Sequence, residues 1–325
     1  MDKKTYLQEY EQKTYQPATT AFVTETFAEF EAQKEEWLQK LQTALEAFME
    51  NIVKMQKLQP IKAGQIAISI LRTGIWEAKP RLRFDCYDAM KESGINLAYQ
   101  YMDIEWLASH WKEFQDRLTK AVEESGGGRY VRRAQIEQYM SMALDRLLPV
   151  IVKSWKYKLM DFDQFAQYQL LQKEEVFILT AGEYMDWQSI MYAEVPQIDI
   201  VVNPENQPLM FQNISGKIYR KKEFQDIDLT RSRFTDCEFS KCSFTHVDFR
   251  DARFVKCLFR DVTMTEGELY GATFTDCVFQ NTSLEQMKQE WGPELLTQHG
   301  GEVYKRVEFI RCIRDEKTME QGGEE

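Results

Sequence analysis

The sequence predicts a multidomain α + β chain. A mainly helical N-terminal domain leads into a four-sided coil of short stacked strands, which a C-terminal helix caps. Three observations carry this reading. Across Arg233–Phe259, Phe stands at 234, 239, 244, 249, 254 and 259, a period of five that fits neither a helix, near 3.6, nor a strand, at 2. Identities also recur at a spacing of twenty, as in Phe234, Phe254 and Phe274, and in Cys237, Cys257 and Cys277. Before the coil, apolar residues recur at three and four over long stretches, the helical spacing.

From the N-terminus, residues 1–20 are polar and are expected to lie over the surface. A helix is expected from Thr24 to about Leu58, with Phe27, Phe30, Trp37, Leu41, Leu45, Phe48, Ile52 and Met55 on one face. Its length suits packing within its own domain; a seam between two copies, hence a homodimer, is the alternative. Pro60 and Gly64 end it. Ile66, Ile68 and Ile70 alternate, as do Leu82 and Phe84 after Lys79-Pro80, which reads as two strands around a turn, with a short helix over "AISILRTGIW" as the alternative. A second helix runs from Asp103, as its cap, to Glu124. Ser125-Gly126-Gly127-Gly128 breaks it. A third spans roughly Val131 to Lys158, with Pro149 as a kink, and a fourth Asp163 to Gln172. Residues 175–180, "EVFILT", read as a strand or a buried turn, and 196–210 as a strand and loop.

The period of five then holds without a miss at Phe224, Leu229, Phe234, Phe239, Phe244, Phe249, Phe254, Phe259, Met264, Leu269, Phe274, Phe279 and Leu284. A second lane, two residues earlier in each unit, carries smaller side chains, including Cys237, Cys242, Cys257 and Cys277. The other three positions are mostly polar. One five-residue unit per side and four sides per turn put both lanes inward, and stacking of turns buries them. An aligned inward Cys is read as a small hydrophobe and not as a metal ligand or disulfide half. After Leu284 the register fails. "SLEQMKQEWGPELL" reads as a helix over the open end of the coil, where a bare sheet edge invites aggregation. "VYKRVEFIRC" reads as a returning strand with Phe309 in phase. The expected domains are therefore 1–200, mainly α-helical with a small β-hairpin; 201–313, the coil with its capping helix and returning strand; and 314–325, a disordered acidic tail.

The units "CEFSK", "VDFRD", "ARFVK" and "ATFTD" resemble the pentapeptide-repeat family over about residues 222–286. The resemblance implies a right-handed quadrilateral β-helix. It also implies a binding role, since members are mostly binding proteins and some imitate DNA.

The chain of 325 residues has a net charge of −11, with 43% hydrophobic residues. That balance argues against a nucleic-acid or anionic-membrane partner, which needs clustered Lys and Arg. No apolar run approaches a membrane span, and the N-terminus lacks a signal-peptide core. With free thiols, this suggests a reducing cytoplasm. The three histidines, His110, His246 and His299, share no ligand spacing; His110, beside Trp111, reads as packed at a helix interface. Gly126–Gly128 follows a helix and no Lys-Ser/Thr comes after it, so it reads as a hinge. Asp85 and Asp88 in "FDCYD" read as a solvated face, and "RYVRRAQ" (129–135) as the solvated start of a helix. The expectation is a non-enzyme with no cofactor, no metal and no catalytic residues, binding a protein partner through the coil and the helical domain. The rival is a DNA mimic that protects gyrase; a further alternative is an enzyme whose site in the helical domain goes unrecognised. Across 222–286, twelve Asp/Glu stand against eight Lys/Arg with the signs interspersed. At a strand spacing of roughly 4.8 Å per coil the rod is about 15 Å long, which is short for a duplex mimic.

Overall fold

The computed structural model describes residues 2–91, 93–201, 209–292 and 304–315. The chain divides into two compact units, Met1–Ala193 and Glu194–Glu325.

The first unit opens on α1 (Lys3–Tyr10), a π turn over Glu11–Tyr15 and α2 (Gln16–Gln56), which run on as one helical rod. Residues 3–20 are thus helical, which corrects the surface placement expected of this stretch. Tyr6, Tyr10 and Tyr15 carry the reason: all three are buried, and the polar residues between them face out. The π turn ends next to Pro17, which has no N–H to offer the carbonyl four residues back. Then follow β1 (Ala63–Ile70), α3 (Arg72–Trp76), β2 (Arg81–Tyr87), β3 (Asn96–Asp103), α4 (Glu105–Glu124), α5 (Arg133–Ser154), α6 (Lys156–Leu159), β4 (Lys173–Glu183) and β5 (Gln188–Glu194).

The expected hairpin is present as β1 and β2, antiparallel, and it forms the middle of a five-stranded sheet ordered β3-β2-β1-β4-β5. β4 joins β1 in parallel. Ile66, Ile68 and Ile70 enter one core with Leu82, Phe84 and Leu179 of the sheet and with Phe30, Leu41, Phe48, Trp111, Leu118 and Leu144 of the helices. Phe22 of α2 stacks on Phe114 of α4 with ring centres 4.7 Å apart. Asp103 ends β3 and does not cap α4, whose N-cap is Ile104 without a side-chain bond. Pro149 lies within α5. The fourth helix expected over Asp163–Gln172 is replaced by two 3₁₀ turns, Phe162–Gln164 and Tyr168–Leu170, whose Phe162 and Tyr168 are buried. Aromatic anchoring decides there, since one short turn suffices to bury each ring. Asp85 is 1% exposed and accepts from Arg83 and Asn96, so it is a buried, paired carboxylate and not part of a solvated face.

The second unit is a coil of short strands. One side stacks β6 (Asn213–Ser215), β9 (Arg233–Thr235), β12 (Arg253–Val255), β15 (Thr273–Thr275) and β18 (Glu308–Ile310). The next stacks β7 (Ile218–Arg220), β10 (Glu238–Ser240), β13 (Leu258–Arg260), β16 (Val278–Gln280) and β19 (Ile313–Arg314). A third stacks β8 (Glu223–Gln225), β11 (Ser243–Thr245), β14 (Thr263–Glu268) and β17 (Ser283–Lys288). All of these pairings are parallel, twenty residues apart along the first coils. The fourth side is closed by bridges between Asp228, Asp248 and Glu268.

The helix expected from Ser283 begins instead as the strand β17, whose Leu284 and Met287 remain buried. Stacking on β14 satisfies the backbone there and wins over helical spacing. The rest of that expectation, from Pro293, lies outside the described residues. The returning strand is β18, with Phe309 stacked on Phe274. Ile313 and Arg314 add β19, and the remainder of the tail lies outside the described residues from 316.

Candidate interaction surface of the coil

Inside the coil the large lane is dry. Phe224, Leu229, Phe234, Phe239, Phe244, Phe249, Phe254, Phe259, Met264, Leu269, Phe274, Phe279 and Leu284 are all buried. Like positions stack in columns. Phe254 lies between Phe234 and Phe274, with ring centres 4.8 and 4.6 Å away and planes tilted by 6°. Within a coil the rings meet edge to face: Phe254 is 5.4 Å from Phe249 and 5.6 Å from Phe259. Offset stacks and edge contacts are the favoured aromatic geometries.

The small lane does more than fill space. Each inward donor reaches a carbonyl of the coil before it. Cys237 Sγ donates to Ile214 O at 3.5 Å, Cys242 to Tyr219 O at 3.4 Å, Cys257 to Phe234 O at 3.4 Å and Cys277 to Phe254 O at 3.4 Å. Thr282 Oγ1 donates to Phe259 O at 3.2 Å and Ser232 Oγ to Leu209 O at 3.2 Å. Cys312, half-buried, extends the column to Phe274 O at 3.2 Å. Cys312 keeps the count of five but stands thirty-five residues after Cys277, so the spacing of twenty that marks the column does not reach it. The neighbouring Cys237 and Cys277 thiols, with burial, push the Cys257 thiol well above its ordinary value. Buried and bonded to backbone carbonyls of the preceding coil, these side chains act as structural donors.

The corners carry a second regularity. Lys221, Asp226, Arg231, Asp236, Lys241, His246, Asp251, Lys256, Asp261 and Glu266 all have φ between 53° and 58°, the left-handed region that costs an L-residue energy. Gly271 takes the next corner, followed by Asp276 and Asn281. The left-handed residue turns the chain, and its side chain is outward at most corners, Asp251 at 1% exposure being the buried exception. Corner residues therefore form ladders on the coil's edges; on one edge the charges alternate, through Asp236, Lys256, Asp276 and Arg311, while Lys221 and Lys241 follow one another on the next. Arg311 pairs with Asp276 at 2.6 Å, below which come Lys256 and Asp236. His246 sits 3.4 Å from Asp226 and 2.6 Å from Glu266.

One face departs from this polarity. Strands β7, β10, β13, β16 and β19 bring Ile218, Glu238, Leu258, Val278 and Ile313 into register on the outside. Ile218 is 59% exposed and Ile313 66%, and Leu258 and Val278 are half-buried. Around the corner, Val255 and Ile310 lie two strands apart on the same side of the coil, with Ile310 39% exposed. Arg260, held at 3.0 Å to Gln280, flanks the strip. The signal was in the sequence, as apolar residues twenty apart at a position that is otherwise polar, but the inward Phe lane overshadows it.

In the first unit, Cys86 is fully buried and burial pushes its thiol up to about 12, so it is no nucleophile at neutral pH. Gly126, at φ 64°, ends α4, and Gly127 lies against the Tyr6 hydroxyl. Arg129 covers the Tyr130 ring at 4.5 Å and Arg133 pairs with Glu137 at 2.8 Å; the basic cluster is thus occupied locally. His110 bonds Glu29. No helix among the described residues is long and apolar enough to cross a membrane.

A family model described as pentapeptide repeat region matches residues 219–291. Among solved structures, the chain is similar to a trypsin-treated form of QnrB1, a plasmid-mediated fluoroquinolone resistance protein. Identity is 15%, with 36% of this chain and 52% of that chain covered and a TM-score of 0.28. It is also similar to the pentapeptide repeat protein Rfr23 from the cyanobacterium Cyanothece 51142, at 13% identity, 33% and 63% coverage and a TM-score of 0.16. The chain spans less than two thirds of either. No curated protein matches it.

Proposed function

We propose that this chain, which carries a pentapeptide-repeat region at residues 219–291, is a non-catalytic interaction protein that docks a protein partner on one flat face of its coil. The observation that carries the reading is the outward strip of Leu258, Val278 and Ile313, with Ile218 beyond Glu238 in the same register. Strand-borne aliphatic side chains in register on a rigid face make a preformed site, and exposed apolar groups of this kind mark contacts with other proteins. The parallel ladder holds the strip flat, so little ordering entropy is lost on docking.

The DNA-mimic alternative is less well supported. A mimic needs a continuous acidic surface, whereas the corner ladders here alternate sign at Asp236, Lys256, Asp276 and Arg311. A gyrase supercoiling assay in the presence of a quinolone tests it directly.

The main test is comparative capture. Tagged wild-type protein and a Leu258→Glu/Val278→Glu variant are used to draw partners from the native cytoplasm, with abundance compared by mass spectrometry. Two outward charges leave the Phe columns untouched. A partner retained by the wild type and depleted at least tenfold from the variant is the expected result. Equal recovery by both folded proteins would rule out this face.

A further inference from the structure

In the first unit, α2 and α4 lie side by side and direct four ligand-type side chains at one another. Glu25 and Glu29 stand one turn apart on α2. His110 and Glu113 stand at i and i+3 on α4, hence on one face. One donor atom each from Glu25, His110 and Glu113 lies within 4.8 Å of the others. Glu29 Oε2 is 2.5 Å from His110 Nε2. Arg117, one turn further along α4, reaches toward both acids: its Nη2 is 3.4 Å from Glu25 Oε2 and 3.8 Å from Glu113 Oε2.

We propose that Glu25, His110 and Glu113 form a binding site for a divalent transition-metal cation of the Zn²⁺ class, which would tie α2 to α4. Imidazole with carboxylates from two helices is a donor set that suits such ions. The His110–Glu29 contact is the second, separate pointer. A metal-ligating histidine characteristically gives its other ring N–H to a carboxylate, which fixes the ring and raises its basicity. With Nε2 engaged by Glu29, Nδ1 is the nitrogen left to coordinate. The ring is held, since the His110 side chain is 17% exposed, while Glu113 at 64% and Glu25 at 49% leave an open approach. Arg117 is the competing cation. Its contacts to both carboxylates are long, at 3.4 and 3.8 Å, and exposed, so an incoming ion displaces a loosely held guanidinium.

Isothermal titration of the full chain with Zn²⁺ tests the site, with folding of every variant checked by circular dichroism. The proposal expects one site that weakens at least tenfold in His110→Ala. Glu113→Gln, an exposed change with little bearing on the fold, should also weaken it. Arg117→Met should strengthen it several-fold, because the rival charge is gone. That last sign distinguishes a metal site from a simple salt-bridge network, in which removing Arg117 gains nothing for Zn²⁺. Absence of Zn²⁺ binding at millimolar concentration overturns the proposal. So does binding that both His110→Ala and Glu113→Gln leave unchanged.

Discussion

Phe254 and Arg253 are adjacent in sequence and opposite in fate. The Phe254 ring is 1% exposed and sandwiched between two parallel rings, whereas Arg253 lies on the outside of β12. Phe254→Ala removes stacking above and below and opens a cavity that a rigid ladder collapses poorly, so it should cost about 3–5 kcal/mol. Arg253→Ala loses at most partly screened surface interactions and should cost no more than about 1 kcal/mol. Urea denaturation of the two variants measures the contrast. Small, equal losses would mean that the period of five does not mark a core. This residue-scale pattern was the most legible part of the chain. A period that belongs to neither helix nor strand admits few geometries, and the twenty-residue identities of Phe234, Phe254 and Phe274 fix the number of sides. The left-handed corners were not legible. Most of those positions carry Asp, Lys, Arg, His or Glu, so no column of glycines announces the turn.

The helices and strands of the first unit show where reading by period fails. Tyr6, Tyr10 and Tyr15 are spaced four and then five, and the fifth step is the π turn before Pro17. A regular helical template loses phase there, so a buried segment passes for a polar tail. Strand β3 fails differently. Its Tyr99 and Tyr101 are exposed on an edge strand and no buried alternation marks it. The four-residue α3 to β2 connection and the long gap to β4 also hide the sheet, because β1 finds its parallel partner more than a hundred residues later. The long helices α2, α4 and α5, with repeats of three and four over many turns, were readable. At this scale the first fifteen residues should be structural. The Tyr10 hydroxyl donates to Leu118 O at 3.0 Å inside the core. Tyr10→Phe leaves that carbonyl without this donor and should cost about 1–2 kcal/mol. Deleting residues 2–15 removes three buried rings and should cost at least about 4 kcal/mol by lost burial alone. Thermal melts of both proteins check the order; a deletion no worse than Tyr10→Phe would return the segment to the surface.

For the whole molecule, two units divide the work by their physics. The first has a large mixed core of helices on a sheet, in which polar groups such as Asp85 and Arg72 are paired internally. The second is a quasi-one-dimensional stack in which each coil rests on its neighbours, and which therefore offers flat faces. The outward apolar strip was hidden in the sequence because an outward apolar residue next to an inward Phe looks like more core; only the register of β7, β10, β13, β16 and β19 separates the two. Hydrogen–deuterium exchange of the full chain with and without its captured partner tests the central claim most directly. Protection is expected at residues 218–220, 258–260, 278–280 and 313–314, at the strip and its flanking strands. Protection confined to residues 2–193, with these four segments unchanged, would contradict it.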